Sequence, residues 1–313
     1  MTLEIIDFHT HYAHPDLVLT TDRRGNSENR RRWARLNRLV QDEEALLAHV
    51  RSGDLVGRVV STPAEFLADE NGEVPPDRYR QINEHLSALC GRHPGQIHAL
   101  ASVDAFGGDH GARELEHAIR NLGLHGLFVP SARGDLLLDA PEARPVLETA
   151  AALGVPVFVH PINLQPLTDR MEPYGRLGTL FARGTINSAT LIALLEAGIL
   201  RDLPDLRIVL TGLAVASILL TAAFGAEQAD DLDRLAILRR QVHVETMGFD
   251  PVLIRAFVDT LGPSQIIAGS DWPIVSEAPI RERLRASLTA AGLDESQQQA
   301  VARDNLLGLL VNL

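Results

Sequence analysis

Short apolar runs and amphipathic stretches alternate along the whole chain. Eight runs, at 3–9, 54–61, 96–103, 124–130, 155–160, 206–211, 241–246 and 265–270, are β-branched or Leu-rich and mostly bounded by Gly, Pro or Asp. That is the pattern of parallel strands buried on both faces. Between them, apolar positions recur at helical spacing over 36–50, 78–92, 110–122, 141–153, 187–200, 250–261 and 279–291. Residues Ser296 to Leu313 read as a closing amphipathic helix. Strand–helix alternation repeated about eight times predicts an α/β fold, a (β/α)8 TIM barrel formed as a single domain across residues 1–313. The chain of 313 residues accommodates the ~250 of a minimal barrel plus insertions. The rival, a doubly wound open sheet, finds no G-x-G-x-x-G or P-loop to support it.

Three segments exceed ordinary βα connections: 12–35, 161–186 and 213–240. All three leave C-terminal strand ends, where barrel active sites are built, so they are expected to form lids or substrate walls. The first holds Arg30, Arg31, Arg32 and Arg35 around Trp33, a group read as a solvated helix start or a subunit contact.

Composition narrows the chemistry. The net charge of −12 argues against nucleic acid or an anionic membrane as partner. It leaves room for a small, carboxylated substrate held by local arginines. No apolar stretch is long enough to span a bilayer, and MTLEIIDFHTHY lacks a basic leader, so a cytoplasmic location is expected. The one cysteine, Cys90, excludes an intramolecular disulfide and argues against a Cys-rich metal site. All 29 basic residues are arginine. Without lysine, neither Schiff-base catalysis nor a carboxylated-lysine bridge between two metals is available.

Candidate chemistry gathers at strand ends. His9 and His11 close IIDFHTH, His160 closes VPVFVHP, and Asp271 follows IIAG in IIAGSDWP. Imidazole and carboxylate donors suit a borderline divalent cation. His-x-His places two of them on one face of an extended segment, because side chains there alternate with period two. On the same alternation, Asp7 shares that face as support or as a contact of the barrel floor. Arg133, Arg170, Arg176 and Arg183 follow strands four and five and could clamp a substrate carboxylate, the guanidinium fork matching both oxygens. His14 and Asn163 are further candidates to touch substrate. His243 and His125 read as structural.

These strings resemble the amidohydrolase superfamily, and more closely its aminocarboxymuconate-semialdehyde decarboxylase-like branch. The resemblance runs nearly end to end. It includes IDFHTH, LGLHGLFVPSARGDLLLDAPEARPVLETAAALGVPVFVHP, LIALLEAGILRDLPDLRIVL, VHVETMGFDP and QIIAGSDWP. It implies His9, His11, His160 and Asp271 as ligands of one divalent metal, zinc first and manganese second. It implies Glu245 facing the site, Trp272 as a pocket wall, Asp271 as a proton carrier, and a homodimer as a possible assembly. The implied reaction is non-oxidative decarboxylation of a small unsaturated or aromatic acid. Hydrolysis or hydration of an amide, ester or lactone is the alternative reaction, and a ligand-binding barrel that has lost activity is the non-catalytic one. One position departs from the branch. Its usual strand-six histidine corresponds to Gly212 in IVLTGLAVASILL, with no histidine nearby. The group so lost is worth about 10²–10⁴-fold in rate where it serves as acid or base.

Overall fold

The computed structural model describes residues 2–18, 27–69, 73–227, 233–275 and 279–311, with the side chains of 27–33 and 227 left aside. Arg30, Arg31, Arg32 and Trp33, read above as a solvated helix start or a subunit contact, lie outside the described side chains, while Arg35 is exposed. Eight parallel strands form in order: β1 (Ile6–His11), β2 (Gly57–Ser61), β3 (Ile97–Ala99, resuming at Ala101–Ser102), β4 (Leu127–Pro130), β5 (Pro156–His160), β6 (Arg207–Leu210), β7 (Val242–Glu245) and β8 (Ile266–Ile267). Each pairs with its neighbours in sequence. Leu100 and Ala101 join the two runs of pairing, the first donating to Val60 O and the second to Gly126 O. The last strand returns to the first: Phe8 N donates to Ala268 O at 2.8 Å and Trp272 N to His9 O at 3.1 Å. This closes a (β/α)8 barrel.

A helix follows each strand: α1 (Ser27–Val40), α2 (Pro76–Arg92), α3 (Gly108–Arg120), α4 (Arg144–Leu153), α5 (Gly175–Glu196), α6 (Val215–Phe224), α7 (Pro251–Leu261) and α8 (Ile280–Ala290). Among the described residues no helix is long and apolar enough to cross a membrane. The barrel interior is a compact apolar cluster of Ile6, Phe8, Val59, Leu100, Phe128, Phe158, Val209 and Ile267, sealed by Leu306 and Leu310 from the closing helical segment. That segment is helical over Glu295–Leu307, with a π-turn at Ala300–Asp304. A second, larger cluster fills the layer between strands and helices. β7 gives no apolar residue to the inner cluster. Its positions paired with the inward Val209 and Ile267 carry His243 and Glu245. The barrel therefore accepts buried polar groups on that strand.

Two expectations about the long segments change. Residues 161–186 are largely helical, not loop: Leu167–Met171 forms one turn, and α5 begins at Gly175 instead of 187. Leu180 and Phe181 already carry helical spacing with Leu177. Gly184 sits inside this helix because Leu213 crosses it closely; a Cβ there would lie 2.7 Å from Leu213 O. Residues 213–240 likewise contain α6 and a helix at Arg234–Gln241. β1 starts at Ile6, later than 3, and extends to His11, beyond 9.

Candidate metal centre

β1 is not a regular strand. Its register against β2 shifts between Asp7 and Thr10. Ile6 and Phe8 belong to the inner cluster, yet His9 and His11 also face inward, each ring lying edge-on to that of His160 at 5.4 and 4.9 Å. A bulge of this kind re-aims side chains. It also corrects the placing of Asp7 by simple alternation. Asp7 accepts hydrogen bonds from Ser270 N (2.8 Å), Ser270 Oγ (2.7 Å) and Thr10 Oγ1 (3.1 Å), with Arg58 3.6 Å away. It ties β1 to the segment after β8 and so positions Asp271.

The four strand-end residues converge. One nitrogen from each of His9, His11 and His160 lies within 4.8 Å of the others. His9 Nε2 and His11 Nε2 are 3.2 Å apart, and Asp271 Oδ1 is 3.4 and 3.3 Å from them. All four residues are buried. Asp271 reaches this position with φ of 58°, a left-handed conformation that costs a non-glycine residue roughly 1–2 kcal/mol. Ile274 N and Val275 N hold it there by donating to Asp271 O at 2.7 and 3.0 Å.

Burial, the neighbouring imidazoles and Arg183 push His160 well below its ordinary pKa. Burial likewise lowers His11, against the pull of Asp271. Burial also opposes charge on His9, but Asp271 and Glu245 raise it above the ordinary value. Burial would raise Asp271, and His9 and His11 hold it low instead. His9 Nδ1 lies 3.2 Å from Glu245 Oε1, with Glu245 fully buried. Nδ1 thus faces a carboxylate, while Nε2 faces His11 and Asp271. The closeness depends on Gly269, since a Cβ there would overlap Glu245 Oε2. Three imidazoles and a carboxylate make an N3O donor set that fits a divalent cation.

Above the donors lies a cavity of about 180 Å3. That is of the order of the ~150 Å3 that takes up benzene in an engineered core. Its apolar walls include Phe66, Leu180, Leu213, Met247, Ile274 and Val275; its polar groups include Asn37, Glu65, Asn163, Arg176 and Arg183. Arg183 donates from Nη2 to Pro161 O at 2.6 Å, and Asn163 Oδ1 is buried without a protein partner.

The other sequence candidates lie elsewhere. Trp272 is buried outside the cavity, its ring under the Arg58 guanidinium at 4.7 Å, because the residue after inward Asp271 turns to the helix layer. Arg133 is engaged by Asp104 at 2.9 Å and Phe106 O at 3.1 Å. Arg170 is exposed and does not line the cavity. His14 stacks on His85 with ring centres 3.6 Å apart. His243 is buried, and desolvation pushes its pKa down to about 4. His125 accepts from Ala99 N at 3.3 Å, and burial pushes the Cys90 thiol up to about 12. Sequence reasoning passed over Glu65 and Phe66, on the short helix Ala64–Leu67 after β2. Their place just beyond a C-terminal strand end was the available signal. Gly212 is buried after β6, and a Cβ there would meet only ordinary contacts, Glu245 O at 3.4 Å and Phe257 Cε2 at 3.8 Å.

A closed (β/α)8 barrel with three histidines and an aspartate at its C-terminal mouth defines a class of metal-binding barrel proteins. The chain belongs to the amidohydrolase family, whose model matches residues 6–305. It is 23% identical over 276 residues to the 2-amino-3-carboxymuconate-6-semialdehyde decarboxylase of Dictyostelium discoideum, covering 85% of this chain and 74% of the relative. Among solved structures it resembles the 5-carboxyvanillate decarboxylase of Sphingomonas paucimobilis (TM-score 0.82, 20% identity, 98% of each chain). It also resembles a dihydroxybenzoic acid decarboxylase of Polaromonas sp. JS666 with bound manganese and 2-nitroresorcinol (TM-score 0.81, 18% identity, 98% of this chain and 96% of that one). At these identities the two structures establish the shared fold.

Proposed function

We propose that this protein is a metal-dependent, non-oxidative decarboxylase of a small aromatic or unsaturated carboxylic acid. The observation that carries the reading is the inward convergence of His9, His11, His160 and Asp271 beneath a ring-sized cavity with apolar walls and arginines. The relatives with named activities are decarboxylases of such acids, which supports the same choice. Those four residues would hold the cation, with Glu245 orienting His9. A bound divalent ion supplies positive charge for an anionic substrate oxygen. The three nitrogen donors favour zinc, while the manganese in the Polaromonas relative keeps manganese as the second choice.

The chain's own groups do the rest. Arg183 lines the same cavity as His160 and Asp271, so its guanidinium is the group offered to a substrate carboxylate there. Arg176, two helical turns away, widens that cationic wall. Leu213, Met247, Ile274 and Val275 keep water from the departing group. Losing CO2 breaks one carbon–carbon bond and leaves its electron pair on the substrate carbon. Asp271, kept ionised by its histidine neighbours, would take a proton from a substrate hydroxyl or from water at a carboxylate oxygen and deliver it to that carbon, returning to its ionised form. With Gly212 in place of an imidazole, Asp271 carries the proton alone.

The test is a panel of hydroxylated benzoates and unsaturated dicarboxylates offered to protein purified without chelators or a polyhistidine tag. CO2 released one to one with substrate, lost in His160→Ala together with bound metal, is the expected result. Substrate consumed without CO2 would replace this reading with a hydrolase or hydratase.

A further inference from the structure

The opposite end of the barrel is hollow as well. Around the N-terminal ends of the first strands lies a cavity of about 800 Å3, within the ~300–1,000 Å3 of small-molecule sites. Ile6, Val56, Ile97, Leu122 and Leu307 give it apolar walls. Two histidines share it. His98, on β3, pairs with the inward Val59 and so faces the barrel floor. His125 precedes β4, and its ring stands edge-on to that of His98 at 5.0 Å. Both are more than nine-tenths buried, at 7% and 6% exposure. His125 Nδ1 accepts from Ala99 N, while His98 makes no hydrogen bond with the protein among the described residues. A buried imidazole without a protein partner calls for a ligand or water. Arg303 and Leu307 of the closing helical segment also line the cavity, on and just beyond the π-turn at Ala300–Asp304. Such turns occur mostly at functional sites. Val301 O, within it, accepts from Ala268 N at 2.9 Å and ties this wall to the barrel.

The floor is arranged against charge. Burial and the neighbouring ring push His98 down to about 4, and burial lowers His125, so both imidazoles are neutral near pH 7. Burial keeps the Cys90 thiol neutral, and Arg303 is engaged by Glu4 at 2.9 Å. Ser87, Cys90 and Gly91 belong to the last turns of α2, and Leu122 and Gly123 follow α3, so both helices turn their negative ends to the cavity. A carboxylate would be buried there without a charge partner, which is costly. Cys90, His98 and His125 do not gather their donor atoms as His9, His11 and His160 do, so a metal ion is not served either.

We propose that the barrel floor is a second binding site, taking a small uncharged phenol whose hydroxyl meets His98 and His125. A neutral imidazole has one donor and one acceptor nitrogen. Because His125 Nδ1 accepts from Ala99 N, its Nε2 carries the proton and donates. His98 keeps an acceptor nitrogen. A phenol hydroxyl, donor and acceptor at once, answers both. Its ring suits the apolar walls and can meet the imidazoles edge-on. The two ends of the barrel then differ in preference, arginines at the mouth suiting an acid and the floor an uncharged ring. Binding at the floor needs no reaction at the mouth.

Fluorine NMR of 4-fluorophenol, uncharged at pH 7, with the full metal-loaded chain tests the site. Saturable binding is expected, weakened about tenfold or more in His98→Phe, which keeps a ring and loses its nitrogens. Gly91→Phe, where an added Cβ meets nothing within 4 Å, crowds the cavity and should weaken binding about as much. Circular dichroism checks that each variant folds, and the two change different walls so that one can stand for the other. 4-Fluorotoluene, without the hydroxyl, should bind the wild type roughly tenfold more weakly than the phenol. 4-Fluorobenzoate should show no binding that either substitution weakens. A phenol that fails to bind up to its solubility limit overturns the site. So does one that binds both variants as tightly as the wild type, because it then sits elsewhere, as at the mouth. Benzoate binding that the floor substitutions weaken overturns the preference for an uncharged ligand. Toluene binding equal to that of the phenol overturns the part given to the histidines.

Discussion

Glu245→Gln separates an orienting role from a merely structural one. Glu245 is fully buried, its Oε1 faces His9 Nδ1 at 3.2 Å, and Gly269 leaves no space between the two strands for a substitute. Glutamine is nearly the same shape, so packing persists while the negative charge behind His9 is lost. A neutral amide makes the imidazole a poorer donor and allows either ring nitrogen to face inward. Substitutions at such supporting positions weaken metal binding about 10–100-fold, equivalent to roughly 1.4–2.8 kcal/mol. Chelator-competition titration with zinc and with manganese measures this directly, and urea unfolding of the metal-free protein measures stability alongside. Loss of affinity with an intact cooperative transition is expected. Affinity indistinguishable from wild type would refute the orienting role, whatever happened to stability.

Gly269→Ala should be harmful, because its Cβ would overlap Glu245 Oε2 and press on His9; chemical denaturation should show a loss of about 1–3 kcal/mol, with weaker metal binding. Gly212→Ala should be tolerated, since a Cβ there meets only ordinary contacts, with chemical denaturation changing by less than about 1 kcal/mol. Arg183→Ala should lower kcat/KM about 10–100-fold, the value of a charge-assisted hydrogen bond, whereas Arg133→Ala should leave it unchanged because Arg133 is occupied by Asp104. Asp54 accepts from Ile280 N and Arg281 N at 2.7 and 2.9 Å and so caps α8. Burial pushes its carboxyl up, but those N–H groups and His49 hold it below the ordinary value. A depressed acid contributes stability above its unfolded pKa and loses it as pH falls through the folded one. Asp54→Asn should therefore cost about 1 kcal/mol near neutrality and least in acid, read from unfolding midpoints against pH.

The barrel was legible because burial on both faces leaves strong apolar runs, and each of the eight expected strand segments overlaps an observed one. The helical start of α5 was hidden by glycines. Gly178 and Gly184 look like loop residues, yet they sit where Met171 and Leu213 pass too closely for a side chain. The four candidate donors were readable as types at strand ends, since few other reasons place imidazoles and a carboxylate there. The residues opposite them were not readable. Whether an arginine reaches a cavity depends on what else it meets, and Asp104, which claims Arg133, lies 29 residues away in sequence. Trp272 shows the same limit, for its neighbour Asp271 occupies the inward position and alternation sends the indole to Arg58.

Period-two reasoning failed most instructively in β1. Strict alternation puts His9 and His11 on the face opposite Phe8, which would send either the ring or the two donors out of the barrel. The register shift between Asp7 and Thr10 removes that conflict and lets Phe8, His9 and His11 all serve the interior. Asp7, freed from the inner face, then binds Ser270 through both its carboxylate oxygens. One irregularity thus does two things: it gathers two donors on β1 and anchors the segment that brings Asp271 to within 3.4 Å of them. Asp271 can hold its left-handed backbone because this anchor and the Ile274 and Val275 N–H groups fix it from both sides. The convergence of these four side chains is therefore set by the backbone, through the register shift in β1 and the left-handed turn at Asp271.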